Sequence, residues 1–130
     1  MSLELGIKGS ASCTVTKDLT AKALRSGGLD VFATPIMIAL MEEASLVSVR
    51  PSLEPGMDTV GTHLDVSHLS PTPVGMKVTA ESELIEIDRR RLVFAVKAYD
   101  ETGLTGEGKH ERFIVDMDKF TAKCEAKMAK

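Results

Sequence analysis

The sequence predicts an α+β domain in which an antiparallel sheet wraps one central helix. Three observations carry that reading. Residues 34–45, TPIMIALMEEAS, open a long helix that is apolar almost all round, and such a helix must be covered on most of its sides. Four strand-like runs follow it: TVGTHLDVSHL, GMKVTAESELIEI, RLVFAVKAYD and TGEGKHERFIVD. The turns between those runs, SPTPVG, DRR and ETGL, are too short for crossover helices and require an antiparallel meander.

Taken in order, ASCTVTKDLTA (residues 11–21) alternates small or apolar with polar residues and predicts a first strand. ALRSGGLDVFA carries a Gly-Gly pair and reads as a loop leading to the helix. The helix is well punctuated: Thr34 as N-cap, Pro35 in the first turn, and Pro51 at the end. RPSLEPGMD is a turn-rich connection, and the four strands follow. The tail MDKFTAKCEAKMAK predicts a short closing helix with Lys119, Lys123 and Lys127 on a solvated face. Because one sheet covers only one face of a helix, either the sheet curls or a second copy shares the task. No linker or repeat divides the chain, so residues 1–130 are expected to form one domain.

Composition excludes several classes of function. A net charge of −3 gives no electrostatic reason for a nucleic-acid partner or an anionic membrane surface. Four Phe, one Tyr and no Trp leave little for base stacking. Cys13 and Cys124 stand far apart, which is neither a disulfide framework nor a zinc-ligand spacing. No apolar run reaches membrane-spanning length and no signal-peptide pattern is present, so a cytoplasmic location is expected.

The residues that carry chemistry lie on the helix and on two strands. Period-two alternation in TVGTHLDVSHL groups Val60, Leu64, Val66 and His68 on one face, with Gly61, His63, Asp65 and Ser67 on the other. His68 therefore continues the apolar, helix-facing side, either as a buried histidine held by one hydrogen bond or as a proton carrier. Glu42 and Glu43 are neighbours about 100° apart on the helix, so a single solvent stripe explains one of them better than both. The other should face a desolvated site, where a carboxylate serves as general base or nucleophile. Thr34 is either a plain N-cap or part of a helix start whose N–H groups polarise a carbonyl. It lies eight residues from Glu42, roughly 12 Å along the axis, so the two could meet at one carbonyl only from different subunits. In GEGKHERFIVD, Gly106, Gly108, His110, Arg112 and Ile114 share a face. Arg112 there either fixes an anion or forms a surface pair with a glutamate. DRRR, residues 88–91, reads as a polar hairpin turn.

The combination of VFATPIMIALMEEAS, VGTHLDVSHLSPTPVGMKVTAE and GKHERFIVD resembles the hotdog-fold acyl-CoA thioesterases, specifically the fluoroacetyl-CoA thioesterase-like family. The resemblance runs from about TVTKDLTA to ERFIVD. It implies a helix wrapped in an antiparallel sheet, a homodimer or dimer of dimers, and sites at the subunit interface. It also implies catalytic roles for Thr34, Glu42 and His68, with Gly61, Arg112 and Phe32 contacting substrate. This selects Glu42 over Glu43. The expected reaction is hydrolysis of a small or medium acyl-CoA, with CoA as part of the substrate and neither a metal nor another cofactor. The fluoroacetyl-specific member has a phenylalanine-bearing lid ahead of the helix, whereas LRSGGLD has no aromatic before Phe32. A different or broader acyl group is therefore expected. The alternative is a non-catalytic acyl-CoA binding or sensing module on the same fold.

Overall fold

The computed structural model describes residues 2–129. Its elements are β1 (Lys8–Thr14), α1 (Thr34–Val49), β2 (Met57–His68), β3 (Lys77–Asp88), β4 (Arg91–Asp100), β5 (Gly103–Asp116) and α2 (Met117–Glu125). The strands form one antiparallel sheet in the order β1-β3-β4-β5-β2. The meander runs as expected from β3 to β5, with Gly103 (φ 143°) and Arg89 (φ 59°) turning its two hairpins, but it does not include β2. SPTPVG is no hairpin, since Pro71 and Pro73 have no N–H to donate and the Thr72 carbonyl accepts from Phe32, and β2 pairs with β5 at the far edge of the sheet. Bulges interrupt β2/β5 between Gly61 and His63, β3/β4 between Leu84 and Glu86, and β4/β5 at Ala98/Tyr99. Each adds local twist, and together they curl the sheet around α1.

The core is the inner face of that curl. Met37, Leu40, Met41, Ala44 and Val49 of α1 pack on Val78, Ala80, Leu84, Leu92, Phe94, Val96 and Ala98. The helix lies mainly over β1, β3 and β4, so β2 is only lightly covered. Residues Gly61 to Asp65 of β2 are exposed, with Leu64 at 36%. β2 is also an edge strand of 12 residues.

Three further expectations are corrected. β1 begins at Lys8 rather than Ala11, and ends at Thr14; a short 3-10 turn (Lys17–Leu19) follows. The strand is hard to read because α1 passes so close to it. A Cβ on Gly9 would lie 2.2 Å from the Ala44 carbonyl oxygen, so only a residue without a side chain fits. Second, α1 spans 16 residues before a 3-10 turn at Arg50–Ser52, an ordinary length for a domain of this size. Third, the N-cap position is Ala33, not Thr34, and no side chain caps the helix.

Candidate active site

The displaced cap decides what Thr34 does. As the first helical residue, it does not spend its hydroxyl on the backbone; Oγ1 instead lies 2.7 Å from His68 Nδ1. Ala33 is anchored by its N–H donating to the Leu19 carbonyl, and Phe32 by donating to that of Thr72. Those bonds fix the helix start beside the end of β2. Ile36 and Met37 both donate to the Ala33 carbonyl, and Pro35 has no N–H. The Thr34 N–H, in a turn with no intrahelical acceptor, is the donor the helix start has to offer. This is a narrower feature than the set of free N–H groups the sequence suggested.

His68 is half-buried, and its Nε2 is buried with no hydrogen-bond partner among the described residues. Burial holds its pKa below the ordinary imidazole value, with the Ser70 backbone opposing in part. The ring is therefore neutral at neutral pH. It has one nitrogen on Thr34 and the other free for a proton transfer.

The second cluster is centred on Arg112. Arg112 is only 5% exposed, so the surface-pair reading is overturned. Nε donates to Thr59 Oγ1 (2.8 Å), Nη2 to the Thr59 carbonyl (2.9 Å) and Nη1 to His110 Nε2 (3.0 Å). Nη1 also lies 3.9 Å from Glu42 Oε2. Burial lowers the Arg112 pKa, with Glu42 opposing most strongly. The buried guanidinium is thus held as a cation beside a carboxylate whose side chain remains 39% exposed. Glu43, by contrast, is exposed on the outer side of α1.

Gly61 closes this cluster. Strict alternation put it on the face away from the helix, but the bulge between Gly61 and His63 shifts the phase. Thr59 and Gly61 face inward before the bulge, while Val66 and His68 do so after it. A Cβ on Gly61 would lie 2.7 Å from Glu42 Oε2, 3.1 Å from His110 Cε1 and 3.4 Å from Arg112 Nη1. The missing side chain of Gly61 thus leaves room for Glu42 and His110, both of which lie beside Arg112.

Phe32, expected to contact substrate, is 1% exposed and belongs to the hydrophobic cluster. The sequence reading passed over His110 and Thr59. The shared face of His110 and Arg112 on β5 was the available signal for the first, while Thr59 left none. DRRR forms the β3–β4 hairpin, with Arg91 paired to Glu86 and Glu111 at 2.9 Å each. Among the described residues no helix is long and apolar enough to cross a membrane.

The structure thus yields two polar clusters on one chain, Thr34–His68 at the start of α1 and Glu42–Arg112–Gly61 two turns further along. The family model for fluoroacetyl-CoA-specific thioesterases matches residues 15–118. The fluoroacetyl-CoA thioesterase of Streptantibioticus cattleyicolor is 42% identical over 98 residues, which are 75% of this chain and 70% of that protein. The solved fluoroacetyl-CoA thioesterase FlK superposes with a TM-score of 0.91 at 34% identity, covering 98% of each chain. A Thermus thermophilus member of the thioesterase superfamily superposes with a TM-score of 0.90 at 27% identity, over 97% of this chain and 93% of that one. A curled antiparallel sheet around a central helix, matched to the solved relatives over nearly its whole length and to the family model over residues 15–118, places the chain in the fluoroacetyl-CoA-specific thioesterase family of hotdog-fold proteins.

Proposed function

We propose that the protein hydrolyses an acyl-CoA to a carboxylic acid and free CoA, using Thr34 and His68 of one subunit with Glu42 of another. The observation that carries this reading is the Thr34–His68 hydrogen bond, which takes a hydroxyl from its capping role and leaves His68 Nε2 unpartnered. Support for the acyl-CoA class comes from the relatives, one of which has been solved as a variant with acetyl-CoA bound.

The chemistry follows from the groups present. The thioester carbonyl sits at the start of α1, where the Thr34 N–H and hydroxyl stabilise the charge that develops on oxygen. The Glu42 carboxylate, 3.9 Å from the Arg112 guanidinium, attacks the carbonyl carbon or takes a proton from an attacking water. The C–S bond breaks, the sulfur leaves with the bonding electrons, and neutral His68 handles the protons through Nε2. Attack by carboxylate gives an anhydride that water then opens; attack by water gives the acid directly. A single turnover in ¹⁸O-water separates the routes, since only the anhydride route can leave label in Glu42.

Two copies are needed because Thr34 and Glu42 lie roughly 12 Å apart along one helix. The exposed edge of β2 supports a dimer, since an uncovered strand of this length is a template for pairing. Apolar residues on the outer side of α1, such as Val47, would be covered by the same partner. For the acyl group, Ala21–Asp30 forms a compact turn without an aromatic side chain. This supports an acyl range that is not confined to fluoroacetyl.

The test is CoA release from acetyl-, fluoroacetyl-, propionyl- and longer acyl-CoAs, read with a thiol reagent, for the wild type, Glu42→Ala and His68→Ala. Hydrolysis lost in both variants is expected. Binding without release across the panel would instead identify a non-catalytic acyl-CoA module. A sharp preference for fluoroacetyl-CoA would overturn the substrate range.

A further inference from the structure

His110 enters no step of that mechanism, yet its ring is fully buried and both nitrogens are engaged. Nδ1 lies 2.9 Å from the His63 carbonyl oxygen and Nε2 lies 3.0 Å from Arg112 Nη1. A carbonyl only accepts and a guanidinium only donates. The ring is therefore neutral, with its proton on Nδ1 and its lone pair on Nε2. Phe94 stands against it with ring centroids 6.4 Å apart, which limits any rotation that would exchange the two bonds.

Each bond holds one part of the Glu42 cluster. His63 immediately follows the bulge that turns Gly61 toward Glu42. Arg112 is fixed in its plane by two bonds to Thr59, and the bond to His110 orients Nη1, the nitrogen nearest Glu42. We propose that His110 is a positioning residue: as a neutral Nδ1–H imidazole it ties the β2 bulge to Arg112 and so fixes where the Glu42 carboxylate lies. The inference rests on the reading of Glu42 as the catalytic carboxylate.

The charged and titratable groups facing His110 are Arg112 and Glu111 on β5, Glu42 on α1 and His63 on β2; β4 contributes the Phe94 ring. Burial depresses the His110 pKa, Arg112 adds to the effect, and the His63 carbonyl and the two carboxylates oppose it. A proton on Nε2 would face a guanidinium that cannot accept it, so the acceptor role depends on the neutral ring.

Two measurements test the proposal. Long-range ¹H–¹⁵N spectra of the wild type at neutral pH should show His110 as the Nδ1–H tautomer; an Nε2–H ring or a cation would overturn it. In kinetics, His110→Leu keeps most of the volume without polar atoms, whereas His110→Gln can still offer an acceptor to Arg112. His110→Leu is expected to lower kcat by about 10–100-fold, the scale of an ångström-level misplacement of a catalytic group, with KM changed less than about threefold. His110→Gln should recover most of that loss. An inactive wild type, or an active Glu42→Ala, defeats the functional reading. An unchanged kcat in His110→Leu beside an inactive Glu42→Ala, or a loss confined to KM, defeats this inference. If His110→Leu does not fold, the tautomer and His110→Gln still decide.

Discussion

Gly61→Ala is the sharpest perturbation the site allows, because one added carbon meets Glu42 directly. The new Cβ would lie 2.7 Å from Glu42 Oε2, against ordinary contacts that begin at 3.4 Å. The carboxylate, at the end of a flexible side chain, must retreat by about 0.7 Å, while the His110 ring at 3.1 Å yields by a few tenths. Misplacing a reacting group by about 1 Å costs on the order of 10²-fold, so kcat should fall roughly 10–100-fold. Stability should change much less. Crowding a packed site costs about 1–3 kcal/mol, and replacing glycine where φ is not positive returns about 0.4–1 kcal/mol from the unfolded chain. The net is a loss of up to about 2.6 kcal/mol, or a Tm drop of up to about 10 °C at this chain length. Steady-state CoA release and a thermal melt on the same preparation check both figures. A variant that folds normally and keeps kcat within about threefold of wild type would refute the claim that Gly61 positions Glu42.

Gly108→Ala should act on stability instead. Its Cβ would meet the Asp65 carbonyl oxygen at 2.2 Å and the Val66 Cα at 2.6 Å, both backbone atoms that cannot swing away. A loss of about 3 kcal/mol or more in urea denaturation is expected, and a wild-type midpoint would contradict the β2–β5 contact. The pH response follows from the depressed pKa values of His68 and His110. The unfolded chain binds protons near the ordinary value of about 6.5, and the folded chain binds them only at lower pH. Their stabilising contribution is thus complete above about 6.5 and is lost as pH falls through the folded values. Urea midpoints should be lower at about pH 5 than at about pH 7.5, and the kcat profile should fall on the same acid side; a rise in kcat on acidification would contradict a neutral His68. Finally, inactive Thr34→Ala and Glu42→Ala subunits, unfolded and refolded together, should regain about a quarter of wild-type activity. Random pairing makes half the dimers mixed, and each mixed dimer holds one intact site. No recovery despite confirmed subunit exchange would show that the two residues do not share a site across the dimer.

The sequence was legible where a period ran unbroken. The apolar run from Ile36 to Val49 predicts the helix, the turns DRR and ETGL predict the β3–β5 meander, and His68 falls on the helix-facing side as alternation requires. The short SPTPVG connection, by contrast, predicts a β2–β3 pairing that the fold does not make. Legibility failed wherever another backbone or a bulge intervened. β1 is short of large apolar residues because Gly9 lies under Ala44, so its limits could not be read from hydropathy. Gly61 was assigned to the wrong face because an extra residue at the bulge reverses the phase of β2. Periodicity implied that one glutamate of the pair was special, but choosing Glu42 needed either the family resemblance or the position of Arg112. Arg112 itself reads as a surface charge in any pattern of polar and apolar residues; only the fold reveals that Thr59 and His110 have replaced its water.

These failures concentrate at the Glu42 end of the site, and there is a physical reason. The Thr34 end is built from features with local signatures: a helix start, a proline and a strand terminus. The Glu42 end is built against local preference, with a cation desolvated, a carboxylate set into an apolar helix and a glycine placed within a strand. Burying Arg112 is tolerable only because three oriented acceptors and a nearby carboxylate compensate its lost hydration. That arrangement fixes the cation beside which the carboxylate lies. On the proposed dimer, this rigidity is what the chemistry requires, because Glu42 must meet a carbonyl held by another chain. A mobile acid would forfeit the orientation that the interface supplies. The same pairing would cover the exposed edge of β2, so the strand that leaves the monomer open is also the one whose bulge aims Gly61 at Glu42.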